Sequence, residues 1–395
     1  MWLKYICVLK ILFVIPTLGC GGAEILLGNI CIELTKKGHI TKVICLNEPL
    51  KSYENYPNKI EFINCAKPEI IKYSIGLSVV SLLKISSVDL KNKIEEFSPD
   101  IIHSHLFLAE LVSRCFYYKN AVYFSHGHDN MFQLEKLGYE TSKKRKWYHY
   151  TEKLWLTLRY RKLENNFIAI SNDTFEFFKR ALPKKLYPNI SLLHNAVNYS
   201  NFSNKIRQFT SLKLKLVSIG SLVAKKNHLF LIEVAKELKS KKIEFEITIL
   251  GDGPLMKKLS EAVKNEHLEN YIILKGNVGD IPNYLNNADI YLHPASYEPF
   301  GLVILEAMAS GLPVICLNGK GNVGLNVEGK TGFMIDPPDA EKFADKILYL
   351  INNPETYSKI SEYCVNFSKN YDIENYCKKL VDIYQNAIDK KNGIK

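Results

Sequence analysis

Short apolar runs alternate along this chain with segments whose hydrophobic residues recur every three or four positions, the pattern of parallel strands joined by crossover helices. In the first half the runs predict strands over residues 11–15, 42–46, 60–64, 100–104, 121–125, 167–171 and 190–193. The second half starts afresh, with strands over 215–220, 245–250, 271–275, 289–293 and 313–317. Between the two sets, residues 195–204 are rich in Asn and Ser and lack hydrophobic periodicity, which fits an interdomain linker. The expected fold class is α/β: two doubly wound domains facing across a cleft, with ligands at the carboxyl ends of the strands.

The first run needs separate treatment. Lys4, Lys10 and the apolar residues 11–18, ending at Gly19-Cys20, imitate a signal peptide with a lipoprotein-like cysteine. Lys10 interrupts the run, however, and helical spacing (Ile25, Leu26, Ile30, Leu34) begins right after Gly19, Gly21 and Gly22. That order predicts a buried strand, a glycine turn and a helix over about residues 23–37. No other stretch reaches the ~20 apolar residues that span a bilayer, so a soluble or surface-bound protein is expected.

Composition narrows the picture without fixing it. The 395 residues are 47% hydrophobic and 24% charged, enough to bury two cores and too apolar for disorder. Nine cysteines, none in a C-x-x-C pair and mostly inside apolar runs, read as core residues of a reducing cytoplasm. Charge is uneven. Residues 1–205 carry 28 Lys and Arg against 18 Asp and Glu, and the rest carry 24 against 23. The basic half therefore suits an anionic partner: nucleic acid, lipid or a phosphate substrate.

Chemistry concentrates at residues 297–313, YEPFGLVILEAMASGLP. A strand ends near His293, Glu298 and Pro299 occupy a turn, and Gly301 opens a helix to about Ser310. Free amides over Phe300, Gly301, Leu302 and Val303, with the helix dipole, favour an anion such as a diphosphate. Glu298 precedes that end, while Glu306 lies about 7.5 Å along the axis from Gly301. Spacing alone favours a capped amphipathic helix with two incidental glutamates over such a site.

The string resembles the E-x7-E motif of glycosyltransferase family 4, retaining enzymes of the GT-B fold with two Rossmann-like domains. The resemblance extends to GGAE from Gly21, SHGH from Ser125, GSLVAKKN from Gly220, GDGP from Gly251, KGNV from Lys275 to Val278, and TGF from Thr331, in the family's order. It implies an acceptor domain over 1–200, a nucleotide-sugar domain over 201–370, and a terminal segment, 371–395, whose helix crosses back to the first domain. By resemblance, Glu298 contacts hydroxyls of the donor sugar, Glu306 the ribose, and Lys226 neutralises the diphosphate. Gly21, Gly22, Ser221, Val278 and the backbone of residues 300–303 complete the donor contacts, and His126 polarises the reacting centre. No metal or cofactor is expected, since amides and lysine stabilise the diphosphate. The implied reaction transfers a sugar from a UDP- or GDP-sugar to a glycan or lipid-linked acceptor in bacterial surface-polysaccharide or lipopolysaccharide synthesis, at the cytoplasmic membrane face.

One departure stands out. Many family members have arginine in G-R-L where this chain has Ser221, which removes a cation from the phosphate clamp. A noncatalytic sugar-nucleotide-binding subunit is therefore an alternative. A nucleotide-sugar epimerase shares the two-domain plan but not E-x7-E, and a dinucleotide oxidoreductase would need the absent G-x-G-x-x-G.

The basic half has a focus of its own. Lys143, Lys144, Arg145 and Lys146 precede Trp147, Tyr148, Tyr150, Trp155 and Tyr160, with further cations at Lys153, Arg159, Arg161 and Lys162. This composition suits a helix on an anionic membrane, aromatic rings at the interface and cations toward lipid phosphates. A helix packed by its aromatics with a solvated face fits equally; nucleic acid is not the expected partner.

Overall fold

The computed structural model describes residues 8–19, 21–46, 60–63, 87–115, 117–130, 143–203 and 205–394. The chain divides into two units, Met1–His194 with Ile373–Lys395, and Asn195–Asp372.

In the first unit β1 (Lys10–Ile15), β2 (Ile40–Cys45), β3 (Ile101–His105), β4 (Val122–Gly127), β5 (Asn166–Ala169) and β6 (Ile190–Leu192) form a parallel sheet in the order β2-β1-β3-β4-β5-β6. The apolar run that imitates a signal peptide is the inner strand β1, paired on both sides and buried from Ile11 to Ile15. Continuous apolar sequence is what a strand covered on both faces requires. The strand order reverses between β1 and β3, which makes their carboxyl ends the switch point where ligands of such sheets bind.

The expected strand at 60–64 is reduced, among the described residues, to a bridge between Phe62 and Val43, and Asn64 lies outside them. Beside the edge strand β2 this segment has one partner, and its Glu61 faces Lys42 at 3.6 Å. The helix Ile373–Lys391 belongs to this unit and packs Tyr376, Cys377, Leu380 and Tyr384 inward.

A buried polar network braces the sheet from below. Arg114, fully buried, lies 3.2 Å from Glu110 and donates to Asn165 Oδ1 at 2.8 Å, to the Phe124 carbonyl at 2.9 Å and to Ser104. Ser125 and Tyr160 donate to Glu110 at 2.6 and 3.2 Å. Burial pushes the Glu110 carboxyl up to about 7 even though Arg114 pulls it down.

In the second unit β7 (Leu214–Ile219), β8 (Phe245–Leu250), β9 (Ile272–Gly276), β10 (Ile290–His293), β11 (Val314–Leu317) and β12 (Gly332–Ile335) form a second parallel sheet, ordered β12-β11-β10-β7-β8-β9. Its switch point falls between β7 and β10. The edge strand β12 was not expected; it is short and opens on Gly332, so the sequence shows it only as part of TGF.

Candidate functional site

In the second unit Lys226, His293 and Glu298 meet at the carboxyl ends of β7 and β10. Gly301 is the N-cap of the helix Leu302–Ala309 and has φ 104°, a left-handed conformation suited to glycine. Ile304, Leu305, Ala307, Met308 and Ala309 are buried, so packing holds the helix start in place. First-turn amides of a helix have no internal partner and carry a partial positive charge. Phe300 and Gly301 are buried here, while Leu302 and Val303 are half-buried.

Glu298 stands just before that end, 6% exposed. Its Oε2 lies 2.5 Å from Lys226 Nζ and 3.0 Å from His293 Nε2. Burial alone would raise the carboxyl, but the Lys226 ammonium and His293 outweigh it and hold the group down at about 2. Its main chain is fixed too. The Glu298 N–H donates to the Gly319 carbonyl at 2.8 Å, and a Cβ on Gly319 would fall 2.9 Å from Glu298 N, so only glycine permits this approach.

Lys226 ends the short turn Ala224–Lys226 that follows β7. The amides of Ser296 and Tyr297 donate to the Lys225 carbonyl at 3.0 and 3.3 Å, joining this turn to the loop that carries Glu298. Lys225 Nζ lies 5.6 Å from the centre of the Tyr297 ring. Ser221 is exposed, and Val278 is half-buried in the loop after β9. Glu306 is half-buried, and burial pushes its carboxyl up to about 7. The two glutamates of the motif thus differ: one is a clamped anion, the other titrates near neutrality.

Sequence reasoning missed His293 as a site residue, as well as the loop that holds Glu298. The legible signals were a polar residue closing an apolar strand and the paired glycines of Asn318-Gly319-Lys320-Gly321-Asn322.

In the first unit Gly21 is the N-cap of the helix Gly22–Lys36, and Glu24 reaches back to accept from its N–H at 2.7 Å. Glu24 also accepts from Thr17 at 2.6 Å, fixing the turn after β1. His126 pairs in register with His105 across β3 and β4. Its ring stacks on His103 at 5.2 Å and on His128 at 4.1 Å. His103 Nδ1 lies 2.5 Å from the Tyr384 hydroxyl, and His105 Nδ1 lies 2.7 Å from His128 Nε2. Burial pushes His103 and His105 well down, helped by the neighbouring imidazoles, and brings His128 to about 3. These three rings are therefore neutral at pH 7.

Ligand atoms of His103, His105 and His126 lie within 4.8 Å of one another, which makes this trio the one group with metal-ligand character among the described residues. The sequence did not lead us to expect such a cluster. Lys143, Lys144, Arg145 and Lys146 open the helix Lys143–Lys162, and their side chains lie outside the described ones.

Comparison with known proteins covers both units. Residues 20–201 match the model of Glycosyltransferase Family 4, and residues 201–366 match that of Glycosyl transferases group 1. A UDP-Gal:alpha-D-GlcNAc-diphosphoundecaprenol alpha-1,3-galactosyltransferase of Escherichia coli is 28% identical over 337 residues, 80% of this chain and 82% of the relative. A 2-deoxystreptamine N-acetyl-D-glucosaminyltransferase of Niallia circulans is 25% identical over 226 residues, 52% of this chain; the match spans little more than half of that relative, 58%. Among solved structures, Anabaena HepE in complex with UDP and glucose superposes with a TM-score of 0.73 at 18% identity, covering 95% of this chain and 98% of that one.

Proposed function

Because the chain belongs to the family 4 type of glycosyltransferase, with the GT-B fold, we propose that it transfers a sugar from a nucleotide-diphosphate sugar to a hydroxyl of a glycan or lipid-linked acceptor, with anomeric retention. The observation that carries this reading is the Lys226–Glu298–His293 cluster before the positive end of the helix Leu302–Ala309.

The chemistry needs stabilisation of charge on the departing diphosphate. Lys226 and the amides of residues 300–303 supply it; a unit charge at ~4 Å and an effective dielectric of 20 contributes about 4 kcal/mol. Lys226 must leave Glu298 at least in part to meet a phosphate, and Glu298 then accepts hydrogen bonds from the sugar. Glu306 holds the ribose diol, and Val278 lines the nucleotide. Gly21 and Gly22 allow main chain to approach the donor, and His126 polarises the reacting centre. With lysine and amides in these roles, no divalent ion is required.

UDP is the favoured nucleotide, by analogy with the UDP-containing complex of HepE and the UDP-sugar named for the Escherichia coli relative. That relative's diphosphoundecaprenol acceptor also supports a lipid-linked acceptor here, in cell-surface polysaccharide synthesis at the cytoplasmic face of the membrane. No helix among the described residues is long and apolar enough to cross a membrane, so a peripheral association is proposed. A panel of UDP- and GDP-sugars, assayed for transfer and hydrolysis with and without chelator, tests the whole reading. Transfer that survives chelation and disappears in Glu298→Ala supports it; full activity in Glu298→Ala, or an absolute metal requirement, contradicts it.

A further inference from the structure

The helix Lys143–Lys162 carries an apolar ridge that packing among the described residues does not use. Leu156 and Tyr160 are fully buried and fix the helix to its unit, where Tyr160 packs against Phe167 and donates to Glu110. Tyr150, Leu154 and Leu158 are 56%, 50% and 55% exposed. At about 100° per residue, positions four apart share a face and positions two apart are nearly opposed. Tyr150, Leu154 and Leu158 therefore form one line directed away from the core, and Leu156 and Tyr160 form the line that faces it. Packing explains the second line only. Tyr117, 47% exposed, adds a further ring near the end of this helix, with Lys162 Nζ 5.7 Å from its centre.

Charge indicates what covers the ridge. The helix holds Lys143, Lys144, Arg145, Lys146, Lys153, Arg159, Arg161 and Lys162 against Glu152 alone. Arg161 and Lys162 are exposed beside the end of the ridge, and Arg159 lies 5.2 Å from the Trp155 ring. A second copy of so basic a helix would be repelled. Nucleic acid would reward the cations and the rings but gain nothing from two leucines in line. An anionic bilayer rewards all of them: apolar side chains enter the acyl boundary, rings sit at the headgroups and cations meet phosphates.

We infer that the outward face of the helix Lys143–Lys162, centred on Tyr150, Leu154 and Leu158, is a docking surface for an anionic phospholipid membrane. Its place in the enzyme's work rests on the lipid-linked acceptor reading above. Binding itself is measured without donor or acceptor, so the two can fail separately.

The experiment is co-sedimentation of the full chain with vesicles of phosphatidylcholine mixed with phosphatidylglycerol, and with phosphatidylcholine alone. The wild type is expected to bind the mixed vesicles and to bind phosphatidylcholine weakly. Leu154→Asp/Leu158→Asp is expected to reduce partitioning about tenfold or more, because it removes inserted apolar area while the cations stay. Both side chains are exposed, so the variant should keep the wild-type thermal midpoint. Arg161→Glu/Lys162→Glu should weaken binding most at low salt, where screening is least. The inference is overturned if the wild type ignores mixed vesicles or if the leucine variant binds as well as the wild type. It also falls if those leucines instead hold together a dimer in sedimentation.

Discussion

Lys226 Nζ and Glu298 Oε2 meet at 2.5 Å although 72 positions separate them, and the contact buries a carboxylate that would otherwise be protonated far more readily. Removing the lysine leaves that charge in the interior without its cation. Lys226→Met should therefore destabilise the protein by on the order of 3 kcal/mol, the usual result of stripping one member from a buried pair. Lys226→Met/Glu298→Gln should recover most of the loss, because the uncompensated charge is gone. Urea unfolding of the two variants checks this, and equal losses would show that the destabilisation does not come from the Glu298 charge. Transfer activity should be absent from both.

The other motif glutamate gives a pH prediction with two opposite signs. The Glu306 carboxyl is raised from the usual 4.5 to about 7. Its contribution to stability is then fully present below the unfolded value and lost as pH rises through about 7, where a half-buried group must ionise. Donor binding should run the other way, since the ionised carboxylate is the stronger acceptor for a ribose diol. Calorimetric titration with UDP on either side of neutrality should show affinity weakening as pH falls, by roughly threefold to tenfold for one charge-assisted bond. Glu306→Gln should flatten that step, and a UDP affinity that tightens on acidification would exclude the ribose role.

Most of this arrangement was visible in the sequence for a physical reason. Strands buried on both faces must be apolar throughout, so the run 11–15 falls within β1, and the glycine and proline around Leu302–Ala309 mark the helix ends. Where burial is one-sided or pairing minimal, the signal fades: the segment at 60–63 makes a single bridge, and the edge strand β12 pairs only with β11 and opens on Gly332. Glu298, Glu306 and Lys226 were named from the family pattern, because spacing alone could not distinguish them from a capped helix and a solvated lysine. His293 and Gly319 were missed since their contact with Glu298 comes from strand order, which places β7, β10 and β11 side by side.

The buried network around Arg114 supports a third prediction, on stability alone. Arg114→Met leaves Glu110 with two hydroxyl donors and no cation, and takes away the guanidinium donor to Asn165 Oδ1 and to the Phe124 carbonyl. A loss of about 3–5 kcal/mol is expected from breaking such a site. Glu110→Gln should cost far less near neutrality, since the carboxyl, raised to about 7, is already partly protonated there. Its relative stability should improve as pH rises through 7, where wild-type Glu110 is forced to ionise. Thermal melts across that range decide the matter; a pH-independent difference between Glu110→Gln and wild type would mean that Glu110 is ionised throughout.

Ser221 offers a gain-of-function test of the donor site. It is exposed, two positions after the end of β7 and before the turn that carries Lys226. Ser221→Arg returns the cation that the G-R-L pattern implies for the phosphate clamp, and it should tighten UDP-sugar binding by roughly tenfold, about 1.4 kcal/mol. Ligand-dependent thermal shift measures this directly, because stabilisation grows as the logarithm of ligand concentration over Kd. If the clamp holds the diphosphate, the variant should reach the wild-type shift at about one tenth of the ligand concentration. If Lys226→Met abolishes the shift in the Ser221→Arg background as well, lysine and arginine act on the same phosphate. A Ser221→Arg protein that responds to UDP-sugar no better than wild type would place the diphosphate away from this turn, and with it the role given to Lys226.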